Sequence, residues 1–289
     1  MNFLNNLFLP ITAPIRFIQR NFKTVLFLTI VVVMYSSTDP KDLEKPNLQK
    51  IDLVGAIMSA DDILEKIEKA KTDTNIKGVL LNVNSPGGAV APSVEIAYAI
   101  KELQEVKPVV AYASGIMASG SYYASIWADK IIANPGSMIG SIGVIMQSVD
   151  ASELISKIGV KTQTVKIGKY KEAGTPTRAW TKYEREELEK VIKDTYKMFV
   201  THVSDARKLN PKEHTKFADA HIFTAFQAKK VKLVDHVTTI SGAKSQLQTL
   251  ANVTKPVWVK EDKMEKFMQK IVEGTISNIS MNLNGLVAY

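Results

Sequence analysis

From Ile51 onward, short β-rich runs alternate with stretches of helical periodicity, and this alternation constrains the fold more than any other feature. Ile51–Met58 is predicted as a strand, Asp61–Lys71 as a helix with apolar residues at helical spacing, and Gly78–Val83 as a buried strand. Ser93–Leu103 reads as helix, Val109–Ala113 as strand, and a short helix follows Met117. Lys130–Ala133, Ile142–Met146 and Val160–Ile167 are further strand candidates, and Lys182–Leu209 is a long charged helix. Strands that alternate with helices are covered on both faces, so the expected class is α/β with a largely parallel sheet core. At 289 residues, 45% of them hydrophobic, the chain can bury one sizeable core.

The first fifty residues follow a different pattern. Arg16, Arg20 and Lys23 precede the apolar run Val25–Tyr35, and Thr24–Thr38 carries no charge. As a helix, 24–38 would span roughly 22 Å, against about 30 Å of bilayer hydrocarbon, with snorkelling by Lys23 to cover the difference. No small-x-Ala cleavage pattern follows Tyr35. These features predict a cytoplasmic basic N-terminus over 1–23, one uncleaved transmembrane helix over 24–38 and a proline-punctuated linker over 39–50. The main domain would then cover 51–253. A tail over 254–289 has Met264, Phe267, Met268, Ile271 and Val272 on one helical face. The basic flank predicts a single-pass protein of the cell membrane with its domain on the extracytoplasmic side.

Several function classes are excluded. The net charge of +8 is scattered, with no arginine stripe and interleaved aromatics, so no nucleic-acid partner is expected. With no cysteine there is no disulfide, thiolate metal site or cysteine nucleophile, and no metal or cofactor is expected. Gly136, Gly140 and Gly143 fit neither dinucleotide nor phosphate-loop spacing. Ser241-x-x-Lys244 lacks the companion motifs of the penicillin-binding enzymes. Asp61 and Asp62 read as a helix N-terminal turn, and Glu184, Glu186, Glu187 and Glu189 as a solvated face. His202, His214, His221 and His236 read as surface residues or caps.

Two short motifs remain. Asn84-Ser85-Pro86-Gly87-Gly88 follows the strand that ends at Val83. Its glycines let the backbone turn with N–H groups free, as an oxyanion hole needs, or simply make a strand-to-helix turn. Ala118-Ser119-Gly120-Ser121 opens a short helix. A serine there is either an N-cap or a nucleophile with the Gly120 N–H beside it.

These motifs occur in order with ADKIIANP at 128–135, GSIGVIM at 140–146 and KYKEAGTPTR at 169–178, and over 51–237 the chain resembles the signal peptide peptidase A family. The resemblance implies a Clp protease/crotonase-like fold and a serine endopeptidase with a Ser/Lys dyad. It assigns the nucleophile to Ser119, the general base to Lys171, the lysine-orienting hydroxyl to Ser141, and the oxyanion donors to the backbone of Gly88 and Gly120. A lysine base must lose its proton well below its ordinary value of about 10.4, which burial beside hydroxyls promotes. Spacing alone does not choose Lys171 over Lys166 or Lys169. The single motif set implies the family's short form, a homo-oligomer whose sites draw serine and lysine from neighbouring subunits. The implied substrates are remnant signal peptides and other hydrophobic peptides at the membrane. A crotonase-type acyl-CoA enzyme, which would need a carboxylate acid/base, and an idle membrane scaffold are the alternatives.

Overall fold

The computed structural model describes residues 20–36 and 45–260. The predicted tail stripe from Met264 to Val272 lies outside them. Residues 1–45 and 46–289 are separate compact units.

In the first unit, helix α1 spans Phe22–Ser36, 15 residues. At 1.5 Å per residue it is about 22 Å long, well short of a ~30 Å hydrocarbon core. Among the described residues, no helix is long and apolar enough to cross a membrane. This overturns the expected transmembrane helix over 24–38. The membrane embedding and extracytoplasmic placement that rested on it fall too.

The second unit is an α/β domain around a seven-stranded sheet. The strands are β1 (Leu48–Val54), β2 (Gly78–Ser85), β3 (Val109–Ala118), β4 (Lys130–Ala133), β5 (Met138–Gly140), β6 (Ile222–Thr224) and β7 (His236–Val237). The parallel path runs β1-β2-β3-β4-β7, and β5 joins β3 in parallel while β6 pairs antiparallel to β5. Helices α2 (Asp61–Thr72), α3 (Val90–Gln104) and α4 (Gly120–Ser125) connect the first strands. Then come α5 (Ser152–Lys157), the long α6 (Lys182–Arg207), α7 (Ala225–Lys230) and α8 (Ile240–Leu250).

Strand β2 shows why the sheet is central. Val79, Leu80, Leu81 and Val83 are all fully buried. Because side chains alternate across a strand, Val79, Leu81 and Val83 enter the main core with Ile96, Ile100 and Leu103 of α3. Leu80 faces the other way, into a smaller cluster with Val110, Ile132 and Leu247 of α8. A continuous apolar run is what a strand covered on both faces requires.

Strand β3 is longer than Val109–Ala113. Its first half pairs with β4 and its end, Ile116–Ala118, pairs with β5. Between them the register against β2 slips: Val83 opposes Ala113, but Ser85 opposes Met117. The Asn84 side chain braces this bulge by accepting the Ile116 N–H at 3.0 Å. The bulge re-aims the strand, as bulges do beside active sites.

Two strand candidates are loops. Ile142–Met146 and Val160–Ile167 have no strand partner, and Val165 and Ile167 are fully exposed rather than buried on one face. Apolar content suggests sheet in both segments, yet only Ile142 enters the core, while Ile145, Met146, Val160, Val165 and Ile167 lie on the surface of the single chain.

Candidate active site

Ser119 ends β3 and caps α4 with φ 53 and ψ −124, a conformation that costs a non-glycine residue on the order of 1–3 kcal/mol. Three contacts hold it there. Its N–H donates to the Gly140 carbonyl at 2.8 Å, and its own carbonyl accepts the Tyr123 N–H at 3.0 Å. The fully buried Ser121 hydroxyl accepts the Ala118 N–H at 2.9 Å and donates to the Ser85 carbonyl at 2.7 Å, tying the turn to the end of β2. Ser119 thus holds the N-cap position of α4, but its side chain makes no capping hydrogen bond. The hydroxyl stays clear for other work.

Gly88 and Gly120 lie side by side. A Cβ on Gly120 would sit 3.3 Å from the Gly88 nitrogen and overlap the Ser93 hydroxyl. A Cβ on Gly88 would overlap the Ile57 carbonyl. Only glycine fits either place. Neither N–H finds a backbone acceptor among the described residues. Both residues line the cleft that holds Ser119, and free backbone N–H groups beside a nucleophile are what an oxyanion site requires.

Ser141 follows β5 and also has positive φ, 49. Its N–H donates to the His221 carbonyl at 2.7 Å. Ser119, Ser141, Gly88 and Gly120 all line one cleft of about 300 Å³. Its walls are apolar: Val90 and Val94 of α3, Tyr123, Ile145, and Met198 and Phe199 of α6. The sequence reading missed this contribution of α6, which had registered only as a long charged helix. Tyr123 packs edge-on against Phe199 with ring centroids 4.9 Å apart, and its hydroxyl bonds to Nδ1 of His202. Burial pushes the Tyr123 phenol up to about 12, so it is a neutral wall and not an acid or base. His202 is thus a buttress behind the cleft rather than a surface residue.

Lys171 is absent from the cleft of its own chain. It is exposed, in the loop between α5 and α6, and its backbone N–H donates to the Gly168 carbonyl at 3.3 Å. The rivals are engaged elsewhere. Lys166 is ion-paired with Glu172, and Lys169 lies over the Tyr183 ring at 4.7 Å. Glu184, expected on a solvated face, is fully buried and held by Arg178. Ser241 and Lys244 belong to α8, where Lys244 covers the Trp258 ring at 5.0 Å, and neither lines the cleft. No group of three or more His, Asp or Glu that could hold a metal occurs among the described residues.

An α/β domain whose central strand ends in a strained serine beside two unsatisfied backbone donors has the layout of a serine hydrolase. The profile of peptidase family S49 matches residues 101–254, more than half of the chain. A relative from Methanocaldococcus jannaschii is 45% identical over 195 residues, covering 68% of this chain and 62% of its own length. A relative from Synechocystis is 34% identical over 214 residues, covering 74% of this chain and 77% of its own. Both carry protease descriptions. The solved structure of a membrane-bound stomatin-specific protease, 16% identical, superposes with a TM-score of 0.52 over 76% of this chain and 100% of that one, a likeness of fold. The chain therefore belongs to peptidase family S49, the signal peptide peptidase A family. It spans less than two thirds of the Methanocaldococcus relative.

Proposed function

We propose that the chain hydrolyses peptide bonds next to an apolar side chain, with Ser119 as nucleophile and Lys171 as general base. The observation that carries this reading is the strained Ser119 beside the paired N–H groups of Gly88 and Gly120 in an apolar cleft. The neutral Lys171 amine takes the Ser119 proton as Oγ attacks the carbonyl carbon. The N–H groups of Gly88 and Gly120 receive the oxyanion, and the protonated lysine then gives its proton to the leaving amine. Water attacks the resulting ester with the same lysine as base, releasing the second product and restoring Ser119. Ser141 orients the amine through its hydroxyl. The cleft walls of Val90, Val94, Met198 and Phe199 receive an apolar substrate side chain. Among the described residues no carboxylate lines the cleft, which speaks against the acyl-CoA alternative.

Lys171 reaches Ser119 from a neighbouring copy of the chain. Two observations support this. Lys171 does not line the cleft that contains its own Ser119. The segment leading to it exposes Ile145, Val149, Leu154, Ile158, Val165 and Ile167, an apolar surface of the kind that subunit contacts cover. A head-to-tail contact that covers this segment would bring in the lysine at the same time.

The test is hydrolysis of fluorogenic peptides bearing leucine, phenylalanine or aspartate beside the scissile bond, together with labelling by a serine-directed phosphonate. Cleavage of the apolar peptides with the label on Ser119 is expected. A label on Ser241, or none with the apolar peptides left intact, would sink the reading.

A further inference from the structure

In sequence, the proposed base is followed directly by an acid: Lys171 by Glu172. A carboxylate within about 4–6 Å of an ammonium favours the charged form, the wrong form for a base. The fold gives this carboxylate other partners. Glu172 Oε2 accepts from Arg178 Nη2 at 3.0 Å and from the Lys166 ammonium. These bonds, Lys166 first and Arg178 second, pull its carboxyl from 4.5 down to about 2, with help from the Thr164 hydroxyl.

Arg178 is itself held firmly. Its Nη1 and Nη2 donate to Oε2 and Oε1 of Glu184 at 2.9 and 2.8 Å, a two-pronged contact. Glu184 is fully buried in the first turn of α6, where it also accepts the Thr181 N–H and hydroxyl, both at 2.9 Å. A buried carboxylate is a costly way to fill a helix start unless it specifies a geometry. The chain of contacts runs from a 26-residue helix through Glu184 and Arg178 to Glu172, the neighbour of the base. The loop is braced again where the Trp180 indole N–H donates to the Thr175 carbonyl at 2.9 Å, and where the Ala151 N–H donates to the Pro176 carbonyl at 2.8 Å. On the other side of Lys171, the Lys169 ammonium sits over the rings of Tyr183 and Tyr170, and Lys190, which faces Tyr170, is paired with Glu187.

We propose that Arg178, gripped by the buried Glu184, is a positioning residue for the lysine base, and that it acts by engaging the Glu172 carboxylate so that this group does not become the counter-ion of Lys171. The inference rests on Lys171 being the base.

The experiment is the pH profile of kcat/KM for peptide hydrolysis by the full chain. In Arg178→Gln the acid limb moves up by about one pH unit and the rate at neutral pH falls about tenfold, with KM little changed. Adding Glu172→Gln to Arg178→Gln returns the limb to its original place, which a merely structural role for Arg178 would not do. Lys166→Gln removes the other cation from Glu172 without touching the buried Glu184, and shifts the limb in the same direction even if Arg178→Gln fails to fold. A folded Arg178→Gln or Lys166→Gln with an unmoved limb, or a shift that Glu172→Gln does not reverse, overturns the proposal. Lys171→Ala separates the two levels. If it stays active, the base assignment falls and this inference with it. If it is inactive while the limb of Arg178→Gln is unmoved, the positioning role alone is wrong.

Discussion

Ser119 donates its backbone N–H to the Gly140 carbonyl at 2.8 Å, one residue before Ser141. Through this bond, the end of β3 and the end of β5 hold two serines of positive φ in one cleft. A positive φ at a non-glycine residue persists only where the surroundings over-determine it. Here the carbonyls of Gly140 and His221 and the Ser121 hydroxyl do so.

The strain at Ser119 can be separated from its chemistry. Ser119→Ala and Ser119→Gly should both lose activity by about 10⁴-fold or more, as removal of a nucleophile does. Ser119→Gly should be more stable than Ser119→Ala by about 1 kcal/mol, because only glycine adopts this conformation without cost. Ser241→Ala should leave the rate unchanged. Thermal melts alongside peptide hydrolysis check all three, and equal stability of the two Ser119 variants would deny the strain.

Gly88→Ala should lower kcat by about 10²-fold with KM little altered, because its Cβ overlaps the Ile57 carbonyl and displaces an oxyanion donor. Gly120→Ala should act in the same way through the Ser93 hydroxyl. A pure KM effect in steady-state kinetics would mean that these amides bind substrate without stabilising the transition state.

Lys171→Ala should abolish turnover, whereas Lys169→Ala should not, and in the native chain the rate should rise with pH as the lysine loses its proton. Refolding inactive Ser119→Ala and Lys171→Ala chains together should restore activity. If mixing in a head-to-tail ring is random, about a quarter of the interfaces regain both groups. A mixture as inactive as its components, with exchange shown by mass spectrometry, would place both groups in the same chain.

Acid should reach the Arg178 network late. The carboxyls of Glu172 and Glu184 are both depressed in the fold from 4.5, Glu172 to about 2 and Glu184 further, by hydrogen bonds from Lys166 and Arg178 and from Arg178 and Thr181 respectively. Depressed carboxyls contribute stability that is present above the unfolded value and lost as pH falls through the folded one. Glu184→Gln should therefore melt below the native chain at pH 7, with the gap narrowing below pH 4.5. A gap independent of pH in melts across that range would assign the effect to packing alone.

Much of the fold was legible because periodicity reports burial. The run Gly78–Val83 reads as a doubly covered strand, and Val79, Leu80, Leu81 and Val83 are buried on its two faces. The same rule misled at Val160–Ile167, whose apolar residues face outward in the single chain. It misled again at 24–38, where an uncharged run suggested a span that a 15-residue helix does not make. Glu184 read as solvated because its neighbours at 186, 187 and 189 are charged, and nothing local announces that Arg178 folds back onto it.

The sequence alone determined the alternation of strands and helices, and the order of motifs that places the chain in its family. Both depend on near neighbours: side-chain periods of two and 3.6 residues, and short runs of glycine and serine. The tertiary structure decided which of those residues meet. Gly88, Ser119 and Ser141 converge because β3 slips register around Asn84 and takes β5 as a second partner, a pairing between distant segments that no local pattern encodes. The positive φ of Ser119 and Ser141 follows from those same contacts, and the tertiary structure also leaves Lys171 outside its own chain's cleft.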